Sequence, residues 1–189
     1  VYKRQVSSSS GNDANSGLSS DSPWKTFTHF ASIRLGPGDK VLLKRGDTWN
    51  ERLTVFANGA QGNYVYVGPY GSLNDPAPAI ALQKDRDDIC IVAQDLYYDG
   101  SNAMNIGLNY LHIDNLSLSD SRIGIYFRYL VSTGNKGVKV TNCTFTNMVN
   151  DSVMTAMQSD ANISGELAMA KGNLDNFTTA YSPVGGGGG

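Results

Sequence analysis

The chain has 189 residues, of which 40% are hydrophobic and 17% are charged, and its formal net charge is −2. The hydrophobic share is sufficient for a folded core and excludes wholesale disorder. No apolar run reaches the length that crosses a bilayer, and the charge lacks the basic footprint of a nucleic-acid-binding protein. Of the acidic residues, 15 are Asp and 2 are Glu, and there are 21 Gly. Because Asp and Gly favour turns over helices, this composition predicts a β-rich, turn-rich protein.

Both ends of the chain are expected to lie outside the native fold. The first five residues, VYKRQ, resemble a translated sequencing adapter of the kind found at the edges of metagenomic contigs. We therefore exclude residues 1–5 as an artefact. An ordinary disordered N-terminus and a dibasic processing site at Lys3-Arg4 are the alternatives. Residues 6–22 are rich in Ser, Gly and Asn and predict a flexible entry segment, and the glycines at 185–189 predict an unpacked tail. A contig edge would also have removed a signal peptide, so its absence says nothing about secretion.

Residues 23–150 carry the pattern of a folded domain. Apolar residues between Thr26 and Leu35 recur near the helical period and predict a short helix, which the turn at 36–39 ends. Short apolar runs then follow at a spacing too tight for crossover helices. Residues 151–184 lose this spacing and predict an irregular or weakly helical segment. The predicted strands are 41–43, 64–67, 79–82, 89–92, 110–113, 123–127 and 138–140.

Two of these stretches resemble each other. LHIDNLSL (111–118) and VKVTNCTF (138–145) share an apolar-x-apolar-x-Asn pattern, which places Asn115 and Asn142 27 residues apart. A repeat of this length is typical of a solenoid, in which successive turns of chain stack and their inward apolar residues form one core. An Asn at a fixed turn position can stack on its counterpart, so we predict that Asn115 and Asn142 form a structural ladder.

Four segments resemble one known group of proteins. They are GNDANSG (11–17), SPWKTF (22–27), LGPGDKVLLKRGDTW (35–49) and GNYVYVGPYG (62–71). Together they resemble the N-terminal region of secreted proteins of the pectate-lyase-like superfamily, which includes many polysaccharide lyases. The resemblance implies an all-β fold, a right-handed parallel β-helix (β-solenoid) with a short N-terminal capping helix. It also implies that the catalytic coils lie beyond this chain, so no catalytic residue is assigned.

The function that this resemblance implies is carbohydrate engagement outside the cell or at its surface, with a polysaccharide as partner. The chain would be the N-terminal part of a polysaccharide lyase or a related glycan-active enzyme. The alternative is a structural or adhesive β-solenoid without catalysis, such as a surface-fibre subunit or a phage tailspike module. A solenoid with uncapped ends exposes unpaired strand edges, so end-to-end self-association is also expected.

Outward polar residues on the predicted strands are the candidate carbohydrate contacts. Lys139 and His112 each alternate with apolar residues and therefore face away from the core. Tyr126 and Arg128 lie on or beside the strand at 123–127. A cation can neutralise the carboxylate of a uronate, and an outward aromatic ring can stack on a sugar. A solvated surface role and a turn role are the competing interpretations for these four residues.

Other motifs predict a cation site, glycan attachment and the state of the thiols. Asp85, Asp87 and Asp88 form an acidic cluster whose oxygens suit Ca²⁺, although a solvated turn explains the cluster as well. Cys90 and Cys143 lack metal-ligand spacing and lie in strand-like runs, so we predict free, buried thiols. Asn-x-Ser/Thr sequons are candidate glycosylation sites, with chance occurrence as the alternative. The sequons are at Asn115, Asn142, Asn150, Asn162 and Asn176.

Overall fold

The computed structural model describes residues 1–82, 88–129 and 137–148, together with the backbone of strands at 151–157 and 168–170. One short 3₁₀ helix, Thr28–Ser32, lies among seventeen strands in these residues. The strands are β1 (Lys3–Val6), β2 (Arg34–Leu35), β3 (Lys40–Lys44), β4 (Thr48–Trp49), β5 (Leu53–Ala57), β6 (Val65–Tyr70), β7 (Ala79–Ala81), β8 (Ile89–Gln94), β9 (Leu96–Asp99), β10 (Asn102–Asn105), β11 (Leu111–Asp114), β12 (Ser117–Ser119), β13 (Ile123–Tyr129), β14 (Lys139–Thr141), β15 (Thr144–Thr146), β16 (Asp151–Met157) and β17 (Ala168–Ala170).

Nearly all of these strands belong to three parallel sheets. Sheet 1 has the order β1-β3-β6-β11-β14-β17, sheet 2 the order β4-β7-β12-β15, and sheet 3 the order β2-β5-β8-β13-β16. Strands β9 and β10 form a separate antiparallel hairpin. The prediction of an all-β protein is therefore confirmed for the described residues.

The chain visits the three sheets in a fixed rotation. It runs from sheet 1 to sheet 2 to sheet 3 in β3-β4-β5 and then repeats that order in β6-β7-β8, β11-β12-β13 and β14-β15-β16. We call each such passage a circuit. Each strand pairs with its counterpart in the next circuit, and His112 lies opposite Lys139 in this register. The two similar stretches at 111–118 and 138–145 therefore stack on each other, as their 27-residue spacing predicts.

One apolar interior is shared by the three sheets. The alternating burial along β3 puts Val41 and Leu43 inward, while the neighbouring lysines lie at the surface. In sheet 2 the inward row runs through consecutive circuits as Trp49, Ile80, Leu118 and Phe145. These side chains all belong to the same buried cluster. Stacking of equivalent apolar positions is therefore the main source of stability.

The predicted N-terminal capping helix is wrong. The segment predicted to be helical contains a five-residue 3₁₀ helix, Thr28–Ser32, and then the extended strand Arg34–Leu35. Phe27 and Phe30 are buried in the core, but Ile33 already has an extended backbone and strand β2 pairs with β5. Residues 34–35, which the apolar spacing alone assigns to a helix, therefore form a strand because they pair with β5.

Two end segments also differ from the sequence-based expectations. Residues 1–5 were excluded from the fold, yet Lys3–Val6 is a strand that pairs with β3. Residues 151–184 were expected to be irregular or weakly helical, yet Asp151–Met157 is a strand paired with β13. The edge of an existing sheet supplies backbone hydrogen-bond partners, and at 151–157 this tertiary pairing outweighs the favourable helix propensity of Ala and Met.

The entry segment is held to the first strands by side-chain hydrogen bonds. The carboxylate of Asp13 accepts from the backbone N–H groups of Lys25 and Thr26, each at 2.9 Å. Asp47 accepts from the Ser7 hydroxyl at 2.7 Å. These bonds lower the pKa of both carboxyl groups although burial opposes it. The entry segment is therefore fixed at both Ser7 and Asp13 by contacts with residues that follow it in the chain.

Candidate functional site

The outward face of sheet 1 carries large polar and aromatic side chains on four neighbouring strands. One row across β3, β6, β11 and β14 consists of Lys40, Tyr66, His112 and Lys139. These side chains are half-buried, whereas the apolar residues between them are buried. We call the following set the sheet 1 patch: Lys40, Tyr64, Tyr66, Tyr110, His112, Asp114, Lys139, Thr141 and Asn142.

Asp114 accepts hydrogen bonds from three members of the patch. Its Oδ1 accepts from Thr141 Oγ1 at 2.6 Å and from Asn142 Nδ2 at 2.8 Å, and its Oδ2 accepts from Tyr66 Oη at 3.0 Å. Burial opposes ionisation of Asp114, but these hydrogen bonds outweigh burial and lower its pKa. Burial and the neighbouring carboxylate raise the pKa of Tyr66. At neutral pH the aspartate is therefore ionised and the tyrosine keeps its proton.

His112 joins the same network through Thr141. Its Nε2 lies 2.7 Å from Thr141 Oγ1. Because the threonine hydroxyl donates its single hydrogen to Asp114, its oxygen accepts the hydrogen of Nε2. Burial lowers the pKa of His112, and Lys139 adds to this effect while Asp114 opposes it. The imidazole is therefore neutral at pH 7, with Nδ1 as a hydrogen-bond acceptor.

The aromatic rings of the patch lie beside its cations. Lys139 Nζ is 4.4 Å from the ring centroid of Tyr64, and Lys40 Nζ is 5.9 Å from that of Tyr66. The His112 ring meets both tyrosine rings edge-on, with centroids 6.4 and 5.5 Å apart. The patch thus combines apolar ring surface with hydrogen-bonding groups. This combination suits a ligand that has both apolar C–H surfaces and hydroxyl groups.

Two glycines make room for the tyrosines. A Cβ at residue 68 would overlap the phenol oxygen of Tyr66, so Gly68 lets this side chain lie flat across the strand and reach Asp114. Gly137 has a φ of +68°, and a Cβ at this position would overlap the ring of Tyr110. The backbone therefore positions these rings.

The sequence-predicted carbohydrate contacts separate into two groups. His112 and Lys139 lie opposite each other in sheet 1, as members of the patch. Tyr126 and Arg128 lie on β13 in sheet 3, and Tyr126 packs against a small apolar cluster around Ile89. The structure therefore brings together only the first pair, because β11 and β13 belong to different sheets.

The two repeat asparagines have the backbone conformation of a turn. Asn115 and Asn142 have positive φ angles of 53° and 52°, which asparagine tolerates better than most residues. The Asn142 amide donates to Asp114, so the polar contact between these circuits includes an aspartate. An Asn115–Asn142 ladder stays a prediction, as does glycosylation of either residue. The sequons at Asn150, Asn162 and Asn176 lie outside the described residues.

The predicted Ca²⁺ cluster is largely outside the described residues. Asp85 and Asp87 are not described, and the carboxylate of Asp88 forms an ion pair with Arg52. Asp88 Oδ1 also accepts from the N–H of Ile89 at 2.8 Å. Within residues 1–82, 88–129 and 137–148, no three potential metal-ligating side chains form a group. A bound Ca²⁺ ion remains a prediction.

Sequence reasoning missed the two residues that organise the patch. Asp114 and Thr141 occupy equivalent outward positions in the two similar stretches, and that equivalence was visible in the sequence. Tyr66 lies opposite His112 in the register, but 46 residues away in the chain, because the β9–β10 hairpin lengthens the intervening circuit. The alternation of Tyr64 and Tyr66 with buried valines was the available signal.

The cysteine prediction is confirmed. Cys90 and Cys143 are both free and buried. Burial raises the pKa of Cys90 to about 11 and that of Cys143 to about 12. Both thiols are therefore protonated at neutral pH, and their role is packing.

The described part of the chain has no helix with the length and apolar character that a membrane crossing requires.

The outward face of sheet 2 differs from that of sheet 1, because it carries small side chains in place of aromatic rings. One row there consists of Thr48, Ala79, Ser117 and Thr144. These residues line an open groove.

Comparison with known proteins shows that this chain is similar to lacto-N-biosidases in sequence and in structure. The lacto-N-biosidase of Bifidobacterium longum subsp. longum is 30% identical over 136 residues, which cover 64% of this chain and 8% of that protein. Crystal structures of GH136 lacto-N-biosidase from Eubacterium ramulus, native and as a selenomethionine derivative, superpose with a TM-score of 0.67 and 21% identity. Each superposition covers 82% of this chain and 30% of the Eubacterium ramulus protein, so this chain spans less than a third of that protein's length. No protein-family model matches the chain.

These similarities correct the sequence-based resemblance. The predicted relation to the pectate-lyase-like superfamily is wrong, because the proteins that match in sequence and in structure are lacto-N-biosidases. The four N-terminal segments that carried the resemblance encode turns and short parallel strands. Such segments recur wherever parallel strands follow one another in tight succession, so they did not discriminate between the two groups.

Proposed function

We propose that the chain is part of a carbohydrate-active protein that works outside the cell, and that the sheet 1 patch is its glycan-binding surface. The observation that carries this proposal is the grouping of Tyr64, Tyr66 and His112 around the hydrogen-bonded Asp114. Tyrosine rings pack against the C–H face of a sugar, and the neighbouring polar atoms bond its hydroxyls. The similarity to lacto-N-biosidases supports a glycan as the ligand.

The chemistry of the patch favours binding over bond cleavage. Hydrolysis of a glycoside by the common mechanism needs two carboxyl groups that flank the scissile bond. Among the described members of the patch, Asp114 supplies one carboxylate, and both of its oxygens already accept hydrogen bonds. Hydrogen bonding also lowers its pKa, although burial opposes this, which is unfavourable for a general acid. We therefore place any hydrolytic residues of the whole protein outside this patch.

We also propose that the three sheets wind as a right-handed parallel β-helix. The fixed order of sheets 1, 2 and 3 through successive circuits supports this winding. Crossovers between parallel strands of one sheet are right-handed in the great majority of proteins. An experimental structure with left-handed crossovers would contradict this part of the proposal.

The test of the glycan-binding proposal is calorimetric titration with lacto-N-biose, the sugar in the relatives' names. Tyr64→Ala removes ring surface at the centre of the patch, and we expect binding about tenfold weaker, equivalent to about 1.4 kcal/mol. Tyr98→Ala is the matched control, because Tyr98 is 58% exposed on the β9–β10 hairpin. We expect the control to bind as the unmodified chain does.

Two outcomes of this titration would contradict the proposal. One is that the unmodified chain, with a circular dichroism spectrum of folded β structure, binds no lacto-N-biose or related oligosaccharide. The other is that Tyr98→Ala weakens binding as much as Tyr64→Ala does, which would place the contact away from sheet 1.

A further inference from the structure

The cations of the sheet 1 patch have no carboxylate partner among the described side chains. The ion pair found in that part of the chain joins Arg52 to Asp88. Lys40 and Lys139 instead lie over tyrosine rings. The ammonium groups are thus held at the surface with their charge available to a ligand.

The one carboxylate in the patch is directed at its neighbours. Asp114 accepts from Tyr66 through one oxygen and from Thr141 and Asn142 through the other. It is half-buried and forms no ion pair with either lysine of the patch. The patch therefore carries two formal positive charges against one negative charge, on a chain whose net charge is −2.

The positions of the two lysines define a length along the sheet. Lys40 lies on β3 and Lys139 on β14, with Tyr66 and His112 on the two strands between them. At the usual spacing between strands, the backbones of the two lysines are about 14 Å apart. Across these four strands the row presents rings on the two inner strands and a cation on each outer strand, and the sheet continues with Lys3 opposite Lys40 and Ala168 opposite Lys139. This arrangement matches an elongated ligand with an anionic group at one end.

We propose that the sheet 1 patch prefers glycans that carry an anionic group, a carboxylate or a sulfate, and that Lys139 is the main contact of that group. The inference rests on the proposed glycan-binding function and specifies its ligand class. Lys139 is favoured over Lys40 because Tyr64 and His112 both flank it, which combines ring surface and a hydrogen-bonding group around the ammonium. A charged ligand paired with this ammonium would form charge-assisted hydrogen bonds.

The experiment compares lacto-N-biose with the same disaccharide carrying one sulfate, by calorimetric titration of the full chain. We expect the sulfated form to bind about tenfold more tightly at low salt, and the difference to shrink as salt screens the charge. Lys139→Gln should abolish the preference, so that the variant binds the two sugars with equal affinity, and Lys139→Arg should restore it. Lys25→Gln is the matched control, because Lys25 is exposed and lies outside the patch.

The outcomes separate this inference from the proposed function. Equal affinity for the two sugars, or a preference that survives in Lys139→Gln, would overturn the anion preference and leave glycan binding intact. Failure of both sugars to bind would overturn the proposed function together with the inference. A preference lost equally in Lys25→Gln would overturn the role of Lys139, because loss of a positive charge anywhere on the chain would then weaken sulfate binding.

Discussion

The outward faces of sheet 1 and sheet 2 cover the same interior but carry different side chains. In sheet 1, the row through successive circuits includes Tyr66 and His112, which join a hydrogen-bonded network. In sheet 2, the corresponding row includes Ser117 and Thr144, whose side chains are small. The inward rows of both sheets are uniformly apolar and buried. The interior therefore determines the fold, and the outward residues are free to differ between the sheets.

The largest expected effect concerns the interior that the two faces share. Ile113→Ala in sheet 1 and Leu118→Ala in sheet 2 each remove a fully buried side chain, so each should lower the free energy of unfolding by about 2–5 kcal/mol. Urea denaturation measures both. A large loss in one sheet with no loss in the other would contradict a common interior.

The next effect is specific to sheet 1. Asp114→Asn removes a carboxylate that accepts three hydrogen bonds, and we expect a loss of about 2 kcal/mol in unfolding free energy at pH 7. Because the folded state lowers the pKa of Asp114, the stabilisation is complete above the unfolded pKa, about 3.9. It is lost as the pH falls through the folded value.

Urea denaturation of the unmodified chain and of Asp114→Asn, from neutral pH to acid, measures how this stabilisation changes with pH. The gap between the unmodified chain and Asp114→Asn should be widest at neutral pH and should narrow in acid. A gap that is constant with pH would show that the lost stability is steric rather than electrostatic.

A smaller effect is expected from Gly68→Ala. The added Cβ would overlap Tyr66 Oη, so the phenol must leave Asp114 at a cost of about 1 kcal/mol for the hydrogen bond. We expect weaker binding of lacto-N-biose together with this modest loss of stability. Gly36→Ala is the control, because a Cβ there meets its nearest atom, in Asp39, at 3.9 Å. Unchanged sugar affinity in Gly68→Ala would show that the position of Tyr66 does not matter for binding.

The smallest effect on stability and sugar affinity is expected from a substitution on the outward face of sheet 2. Ser117→Ala in sheet 2 should change the unfolding free energy by less than about 0.5 kcal/mol and leave sugar affinity unchanged. Thermal denaturation and calorimetric titration measure these two quantities. Loss of sugar affinity in this variant would move the binding surface from sheet 1 to the groove of sheet 2.

The strands and the stacking of circuits were largely predictable from the sequence. The apolar run at 41–43 predicted β3, and the 27-residue repeat predicted that the stretches 111–118 and 138–145 stack on each other. The strand Arg34–Leu35, which the apolar spacing assigned to a helix, and the strand Asp151–Met157 were missed, because pairing with distant strands decides both. Local periodicity contains no information about such partners.

The site was predictable only in part. Register between β11 and β14 is visible as a repeat, and it correctly pairs two patch residues. The β9–β10 hairpin interrupts the period between β6 and β11, so the contact of Tyr66 with Asp114 could not be inferred from spacing. Tyr126 and Arg128 alternate along their strand as His112 does, but alternation does not specify which sheet a strand joins. End-to-end self-association remains an untested prediction.

The most direct test of the central claim is an NMR titration of the isotopically labelled chain with lacto-N-biose. The account predicts that amide shifts concentrate at residues 64–66, 110–114 and 139–142 on sheet 1, while residues 79–81, 117–119 and 144–146 on sheet 2 stay unchanged. Shifts that concentrate on sheet 2, or no shifts at millimolar sugar, would contradict the claim that the outward residues of sheet 1 form a glycan-binding surface.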